Sequence, residues 1–278
     1  MIIRIEDDMN LDRIAASGQC FRWRKTEEGG WLIPFGTRRL RIAEKDQGVF
    51  EVNCGEEDFE EIWKDYLDLR TNYRAINAMI PRDEDRFLYE AMESQKGIRM
   101  LRQDPWEMLI TSIITQNRNI PAIERSVELI CSMAGDETLD YDGNVFFTFP
   151  KPDRLKAMTA EDLDKCRLGY RTGYVSAAAR AVANGDVDLD ELGRLPDDEC
   201  MERLTAMYGI GNKVASCVLL FGLHRMNAFP VDVWVKRILA DYYPDGYPME
   251  KYSPWNGIFQ QYMFAHYRET HTGKAGKA

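Results

Sequence analysis

Alternating hydrophobic and polar residues in the first seventy positions predict a small β-sheet. Leu40 and Ile42, and further on Phe50 and Val52, are each separated by one charged residue. This period of two is typical of strands that bury one face. Glycines and other turn-forming residues separate three such segments, at 31–35, 39–43 and 49–53. We therefore expect short antiparallel strands in this part of the chain.

From Glu57 onward the hydrophobic positions recur at helical spacing, and we expect helices to the end of the chain. Asp104 followed by proline is typical of a helix start, and Thr159 with Asp162 fits a capping box. No linker rich in Gly, Ser or Pro divides the chain. The pattern predicts an α+β fold. A small N-terminal antiparallel β-sheet domain, residues 1–75, packs on a larger all-α region, residues 76–278.

Within the helical region, residues from about 204 to 222 predict two helices joined by a tight turn. The first helix starts at Asp197 and ends near Tyr208, Gly209-Ile-Gly211 forms the turn, and a second helix starts at about Asn212. The first N–H groups of a helix lack backbone partners, and the helix dipole adds positive potential there. Such a hairpin suits a phosphate group. A dinucleotide-binding glycine loop is excluded because no strand precedes the turn.

Three residues with reactive or planar-ligand chemistry accompany this hairpin. Lys213 lies in the first turn of the second helix, where the dipole and burial both favour the uncharged, nucleophilic amine. Cys217 follows one helical turn later and could form an apolar wall for a planar ligand. Asp232 starts a further helix that extends to about Tyr243. Each has a simpler explanation on its own, as a surface lysine, a core cysteine and a helix cap. Their combination predicts a catalytic site.

Composition and charge narrow the function further. Hydrophobic residues make up 45% and charged residues 29% of the 278 positions, as in ordinary globular proteins. The net charge of −10 argues against nucleic-acid binding only if charge is averaged over the chain. Residues 201–278, which contain the hairpin, carry 9 basic and 6 acidic side chains. A local nucleic-acid-binding surface is therefore compatible with the acidic composition.

The six cysteines are widely spaced, and the chain has only three histidines, so we expect no metal and no other cofactor. The first residues lack the pattern of a signal peptide, and no apolar run is long enough to span a bilayer. We therefore expect a cytoplasmic monomer that does not bind membranes and, in a prokaryote, is associated with the nucleoid.

The segment from Leu204 to Leu239 resembles the helix-hairpin-helix, Gly-Pro-Asp signature of the base-excision DNA glycosylases. Four further stretches resemble the 8-oxoguanine DNA glycosylase/AP lyases and keep that family's order along the chain. They are Ser17-Gly-Gln-Cys-Phe-Arg-Trp23; Gln103-Asp-Pro-Trp106 with Thr115-Gln-Asn-Arg-Asn-Ile120; Leu168-Gly-Tyr-Arg171 with Tyr174-Val-Ser-Ala177; and Gly257-Ile-Phe-Gln-Gln-Tyr-Met-Phe264. The resemblance thus covers nearly the whole chain.

This resemblance implies a bifunctional enzyme of base excision repair that removes 8-oxoguanine from double-stranded DNA. Lys213 would form a Schiff base with the sugar, Asp232 would assist, and β-elimination would cleave the strand. The resemblance also implies a base-recognition set. The carbonyl of Gly18 would accept the N7–H of 8-oxoguanine, and Gln260 would bind the Watson–Crick edge. Cys217 and Phe264 would sandwich the ring.

The remaining implied contacts are with DNA outside the base pocket. Asn117 would fill the vacated stack, Tyr170 would act as a wedge, and Arg171 would read the estranged cytosine. The other DNA-binding positions are Gly209, Gly211 and Trp234. The simpler explanations for the residues assigned by resemblance are a turn glycine at Gly18, a surface amide at Gln260, core packing at Cys217 and Phe264, helix C-caps at Asn117 and Tyr170, and a solvated arginine at Arg171.

The chain departs from the family pattern at two positions. Ala122 stands where better-known members have a second cytosine-reading arginine, which predicts looser discrimination of the opposite base. Trp234 stands where eukaryotic members have a histidine near the substrate phosphate.

Three alternatives stay open at the level of sequence. The first is a glycosylase for another lesion, such as an oxidised pyrimidine or an alkylated purine. The absence of a C-terminal cysteine cluster argues against the endonuclease III type of glycosylase. The presence of Lys213 argues against the type that removes alkylated bases without a catalytic lysine. The second is a non-catalytic DNA-binding module. The third is an acidic protein–protein scaffold without a role on nucleic acid.

Overall fold

A computed structural model describes residues 1–272, and its N-terminal part contains a five-stranded antiparallel sheet of strand order β1-β5-β4-β3-β2. The last residues of the predicted helical region, 273–278, lie outside the described part of the chain. The strands are Ile2–Arg4 (β1), Arg24–Lys25 (β2), Trp31–Phe35 (β3), Arg38–Asp46 (β4) and Val49–Val52 (β5). The predicted strands are β3, β4 and β5. The hydrophobic pattern did not indicate the two short edge strands.

The buried face of the sheet follows the alternation in the sequence. Leu40 pairs with Ile33, and Ile42 pairs with Val52, and all four side chains are buried. Phe50 joins them in the same hydrophobic cluster. Side chains from three helical segments close this cluster, namely Leu11–Ala16 (α1), a π-helical turn at Phe59–Trp63, and Lys64–Tyr66 (α3). The short helix Glu56–Asp58 (α2) leads into the π-helical turn. The N-terminal sheet therefore has a hydrophobic core of its own.

Most of the remaining chain is helical and packs around two further hydrophobic clusters. Its α-helices are Tyr73–Asn77 (α4), Arg86–Gln95 (α5), Pro105–Ile114 (α6), Ile120–Ala134 (α7), Pro152–Lys156 (α8), Ala160–Lys165 (α9), Thr172–Ala183 (α10), Leu189–Leu192 (α11), Asp197–Thr205 (α12), Asn212–Cys217 (α13), Val233–Tyr242 (α14), Met249–Tyr252 (α15) and Asn256–Thr272 (α16). A 3₁₀ turn at Gly169–Arg171 precedes α10, and a π-helical turn at Val218–Gly222 continues α13. The predicted α+β architecture is confirmed.

The expectation of helices throughout the region after Glu57 is wrong at one place. Glu137–Leu139 (β6) and Val145–Phe147 (β7) form a two-stranded hairpin. The carboxylate of Asp140 in its turn accepts hydrogen bonds of 3.0 and 2.6 Å from Arg39 of β4. Tertiary ion pairing with the N-terminal sheet supports these short strands, and helical periodicity cannot reveal such a contact.

The loop that carries Gly18 is anchored to the helical body through Gln19. The buried Gln19 amide donates to the carbonyl of Arg99 at 3.0 Å and accepts from the N–H of Leu101 at 2.9 Å. The carbonyl of Gln19 also accepts from the Gln103 side chain at 2.9 Å. A fully satisfied buried amide of this kind fixes a loop in one position. Gly18 is thereby held at a set place on the helical body.

Within residues 1–272, no helix combines the length and apolar character needed to cross a membrane. In the same part of the chain, no three His, Cys, Asp or Glu side chains gather in a way that could hold a metal ion. The six cysteines are buried and unbridged.

Candidate active site

The predicted helix hairpin is present, with α12 and α13 as its two helices. The two glycines of its turn have different surroundings. Gly209 has a φ of +83°, and a Cβ added there would lie 2.2 Å from Cγ of Tyr174. Gly211 is the N-cap of α13 in an extended conformation, and no described atom outside its immediate neighbours lies within 4 Å of its Cβ position. Packing thus requires glycine at position 209, whereas position 211 leaves the start of α13 open to a ligand.

Lys213 lies in the first turn of α13 and is half-buried. Its Nζ donates a 3.0 Å hydrogen bond to Oγ1 of Thr115, the residue that caps the C-terminus of α6. The Thr115 hydroxyl in turn donates to the carbonyl of Ser112 at 2.7 Å, so its oxygen is oriented to accept from the lysine. The next side chain, Gln116, donates to the carbonyl of Gly209 at 3.1 Å. Neither Thr115 nor Gln116 was predicted to have a role, although both lie in a stretch that carries the family resemblance.

Asp232 is the N-cap of α14, and its Oδ1 accepts hydrogen bonds of 2.9 Å from the N–H groups of Trp234 and Val235. The capping explanation is therefore correct for this residue, and it leaves room for a second role. Burial raises the pKa of the Cys217 thiol, the Lys213 ammonium lowers it, and the Asp232 carboxylate raises it. Both charged groups thus act on the same buried thiol. The predicted nucleophile and its predicted carboxylate partner therefore both lie near the predicted pocket wall, Cys217.

The predicted base-recognition residues converge from opposite ends of the chain. Gly18 has a φ of +82°, in the left-handed region that favours glycine, and its Cβ position would lie 3.5 Å from Cε1 of Phe264. Gln260 is buried one turn before Phe264 on α16. Its amide donates to the carbonyl of Pro230 at 3.2 Å and accepts from Gln261 at 2.9 Å. The simpler explanation of Gln260 as a surface amide is wrong.

The loop between α6 and α7, and the 3₁₀ turn at Gly169–Arg171 that contacts it, carry further predicted DNA contacts. Asn117 is exposed and has a φ of +47°. Tyr170 is 56% exposed and donates to the carbonyl of Gln116 at 3.3 Å. Arg171 is buried and donates to the carbonyls of Gln116, Asn117 and Leu168, at 2.8 Å from Nε to the first. It is therefore not a solvated arginine, because in this structure it holds the loop in place.

Trp234 is half-buried at the start of α14, with the Arg237 guanidinium 5.2 Å from its ring centroid. Tyr208, which received no role in the sequence analysis, is 68% exposed and stands edge-on to Tyr174 at 5.0 Å. Its place immediately before Gly209 is a signal that could have identified it. Exposed aromatic rings beside the hairpin turn suit contact with unstacked bases.

Comparison with known proteins places this site in a family. Residues 1–109 match the model of the 8-oxoguanine DNA glycosylase N-terminal domain, and residues 110–248 match that of the HhH-GPD superfamily base excision DNA repair proteins. The chain belongs to the HhH-GPD superfamily. Its predicted resemblance to the 8-oxoguanine DNA glycosylase/AP lyases is confirmed. So is the predicted class of enzyme, a DNA N-glycosylase with lyase activity.

Individual HhH-GPD relatives align over most of the chain. The N-glycosylase/DNA lyase of Saccharomyces cerevisiae is 32% identical and aligns with 84% of this chain and 68% of its own length. A probable N-glycosylase/DNA lyase of Methanothermobacter thermautotrophicus is 30% identical, over 67% of this chain and 69% of its own. The 8-oxoguanine glycosylase/lyase of Clostridium acetobutylicum was solved with double-stranded DNA containing cytosine opposite 8-oxoguanine. It superposes with a TM-score of 0.87 at 33% identity and covers 97% of this chain and 98% of its own.

Proposed function

We propose that this HhH-GPD enzyme excises 8-oxoguanine from double-stranded DNA and then cleaves the strand through a Schiff base on Lys213. The observation that carries the proposal is that Thr115 orients the Lys213 amine, while Lys213 and Asp232 are both near enough to Cys217 to shift the pKa of its thiol. A nucleophilic amine, a carboxylate and a wall for a planar base are the groups that glycosidic bond cleavage with covalent catalysis requires.

The nucleotide has to leave the duplex before its glycosidic bond can be reached, at a cost of a few kcal/mol. Free N–H groups at the start of α13, next to Gly211, would bind a DNA phosphate, and Trp234 at the start of α14 would lie beside the backbone. Asn117 on the α6–α7 loop would fill the vacated stack, and Tyr170 on the 3₁₀ turn that contacts this loop would act as the wedge. Arg171 would position this loop and face the estranged base. A protein acting in this way on chromosomal DNA would be associated with the nucleoid of a prokaryote.

Base selection would depend on a hydrogen atom that guanine lacks. The carbonyl of Gly18 would accept the N7–H of 8-oxoguanine, while Gln260 would bind the Watson–Crick edge. The ring would lie between Cys217 and Phe264. The anchoring of Gly18 through Gln19 supports this role, because a carbonyl can discriminate a donor from an acceptor only if it cannot turn away.

The chemical step starts from the uncharged amine of Lys213. Its lone pair forms a bond to C1′, the glycosidic bond breaks, and its electron pair leaves with the base, which takes up a proton. The Asp232 carboxylate stabilises the positive charge that develops on the sugar. Ring opening gives an iminium between Nζ and C1′. Loss of the C2′ proton then expels the 3′ phosphate and cleaves the strand.

Borohydride trapping tests this proposal. With a duplex containing 8-oxoguanine, reduction of the iminium should give a covalent protein–DNA adduct on a denaturing gel. Lys213→Gln should abolish both the adduct and the nick. Lys236→Gln, which removes an exposed lysine from α14, is the matched control and should leave both intact. An adduct that persists in Lys213→Gln would place the nucleophile elsewhere, and trapping only on duplexes with another lesion would overturn the proposed substrate.

A further inference from the structure

Arg268 stands beside the proposed base pocket, and the role of this residue is not explained by the mechanism above. It lies one helical turn after Phe264 on α16, with its guanidinium carbon 5.1 Å from the centroid of the Phe264 ring. Its Nη1 is 3.9 Å from the Cβ position of Gly18. The guanidinium therefore lies against two of the elements that would hold the excised base.

The charge on Arg268 is permanent, because a guanidinium is not deprotonated in proteins. Burial lowers the pKa of Arg268, whereas the nearby Asp232 carboxylate raises it. The side chain also lines a surface cavity of about 400 Å³ together with Ala16 and Ala265. A permanent positive charge thus stands beside the residues that would form the base pocket.

We propose that Arg268 is a specificity-determining residue that favours neutral oxidised purines over positively charged N-alkylated purines. This inference rests on the proposed function, since it takes Phe264 and Gly18 as walls of the base pocket. The guanidinium keeps its positive charge, and a neutral base meets no repulsion from it. The same group repels a base that carries a positive charge of its own.

The size of the repulsion follows from the distances. A base stacked on the other face of Phe264 would lie roughly 9 Å from the guanidinium, which is the 5.1 Å to the ring centroid plus about one stacking distance. Two unit charges roughly 9 Å apart at an effective dielectric constant of about 20 discriminate by roughly twentyfold, and solvent screening reduces this to about tenfold or less. Removing the charge should therefore shift the preference between the two classes of base by up to about tenfold.

The test compares two duplexes that differ in one base, 8-oxoguanine or the cationic 7-methylguanine, each opposite cytosine. Affinities are measured by fluorescence anisotropy in a Lys213→Gln background, so that binding is read without excision. Arg268→Met keeps the aliphatic stem and removes the charge, whereas Arg268→Lys keeps the charge. Arg82→Met removes an arginine that lies over the ring of Tyr89 and not over Phe264, and it serves as the control.

Arg268→Met should raise the affinity for 7-methylguanine relative to 8-oxoguanine by up to about tenfold, whereas Arg268→Lys and Arg82→Met should keep the parental ratio. An unchanged ratio in Arg268→Met, or the same shift in Arg268→Lys, would overturn the assignment. Thermal unfolding checks that each variant is folded, and Arg268→Gln provides a second neutral variant. Failure of the protein with Lys213 intact to release 8-oxoguanine would refute the proposed function separately, because the binding ratio is read without chemistry.

Discussion

Replacing each glycine of the hairpin by alanine should separate a folding requirement at Gly209 from a DNA-binding requirement at Gly211. Alanine at position 209 would have to hold a φ of +83°, which costs an L-residue about 1–2 kcal/mol. Its Cβ would also lie 2.2 Å from Cγ of Tyr174, and relieving such an overpacked contact costs about 1–3 kcal/mol more. We expect Gly209→Ala to lose about 3 kcal/mol of unfolding free energy, or roughly 6–12 °C in Tm.

Alanine at Gly211 should behave differently. The backbone there is extended, and its Cβ would point into open space, so the stability cost should stay below about 1 kcal/mol. That open space is where a phosphate would approach the first N–H groups of α13, so DNA affinity should fall by about tenfold. Circular dichroism during heating measures the first effect, and fluorescence anisotropy with a duplex at one stated salt concentration measures the second.

Equal losses of stability in the two variants would refute this distinction, as would an unchanged Tm in Gly209→Ala. A second substitution refines the test. Tyr174→Ala removes the ring that the new Cβ would meet, so added to Gly209→Ala it should recover the overpacking part of the loss, about 1–3 kcal/mol. The part caused by the positive φ should remain. Coupling of this kind between two contacting residues is what a double-mutant cycle measures.

Three further outcomes are expected. Asp232→Asn keeps an oxygen to cap α14 but removes the charge, so stability should change little while single-turnover excision slows by roughly a hundredfold; an unslowed rate would remove Asp232 from the chemistry. With Ala122 in place of an arginine, nicking of 8-oxoguanine opposite each of the four bases should show weak preference, and a strong preference for cytosine would contradict this. Burial raises the pKa of Asp68, but the hydrogen bond and charge of His224, the hydrogen bond of Tyr73 and the charge of Arg102 outweigh it and lower that pKa below 3.8. The stability that Asp68 contributes should therefore be present above about pH 4 and be lost as the pH falls through its lowered folded value. Urea midpoints between pH 6 and 3 should fall less steeply in Asp68→Asn, and parallel curves would show that this carboxylate is not responsible.

The sequence pattern predicted those strands and helix starts that are stabilised by contacts between residues close together in the chain. The alternation around Leu40 and Ile42 places these side chains on one face whatever the sheet packs against, because the period of a strand is two. Asp104 and Thr159 cap the helices that they were expected to start, since a cap reaches only two or three residues along the chain. The hairpin turn at Gly209 and the helix start at Asp232 were likewise predicted from patterns of a few neighbouring residues.

The sequence pattern could not predict contacts between segments that are far apart in the chain. The β6–β7 hairpin depends on the ion pair between Asp140 and Arg39, 101 positions apart, so its own short strands carry little signal. From the sequence alone, the simpler explanation for Arg171 is a solvated surface arginine. In the structure it is buried and donates to carbonyls of the α6–α7 loop. Gln260 is buried for the same reason, through a partner 30 positions away.

The residues of the proposed active site show the same contrast between short-range and long-range contacts. Short-range patterns predict an amine at the start of a hairpin helix and an aspartate at the start of a later one, because capping and helix phase act within one turn. The packing of distant segments is what lets Thr115 orient Lys213 across 98 positions, and what brings Arg268 and Phe264 to Gly18 from the other end of the chain. Such meetings depend on how whole helices pack, and packing is decided by the combined burial of many side chains rather than by any short motif.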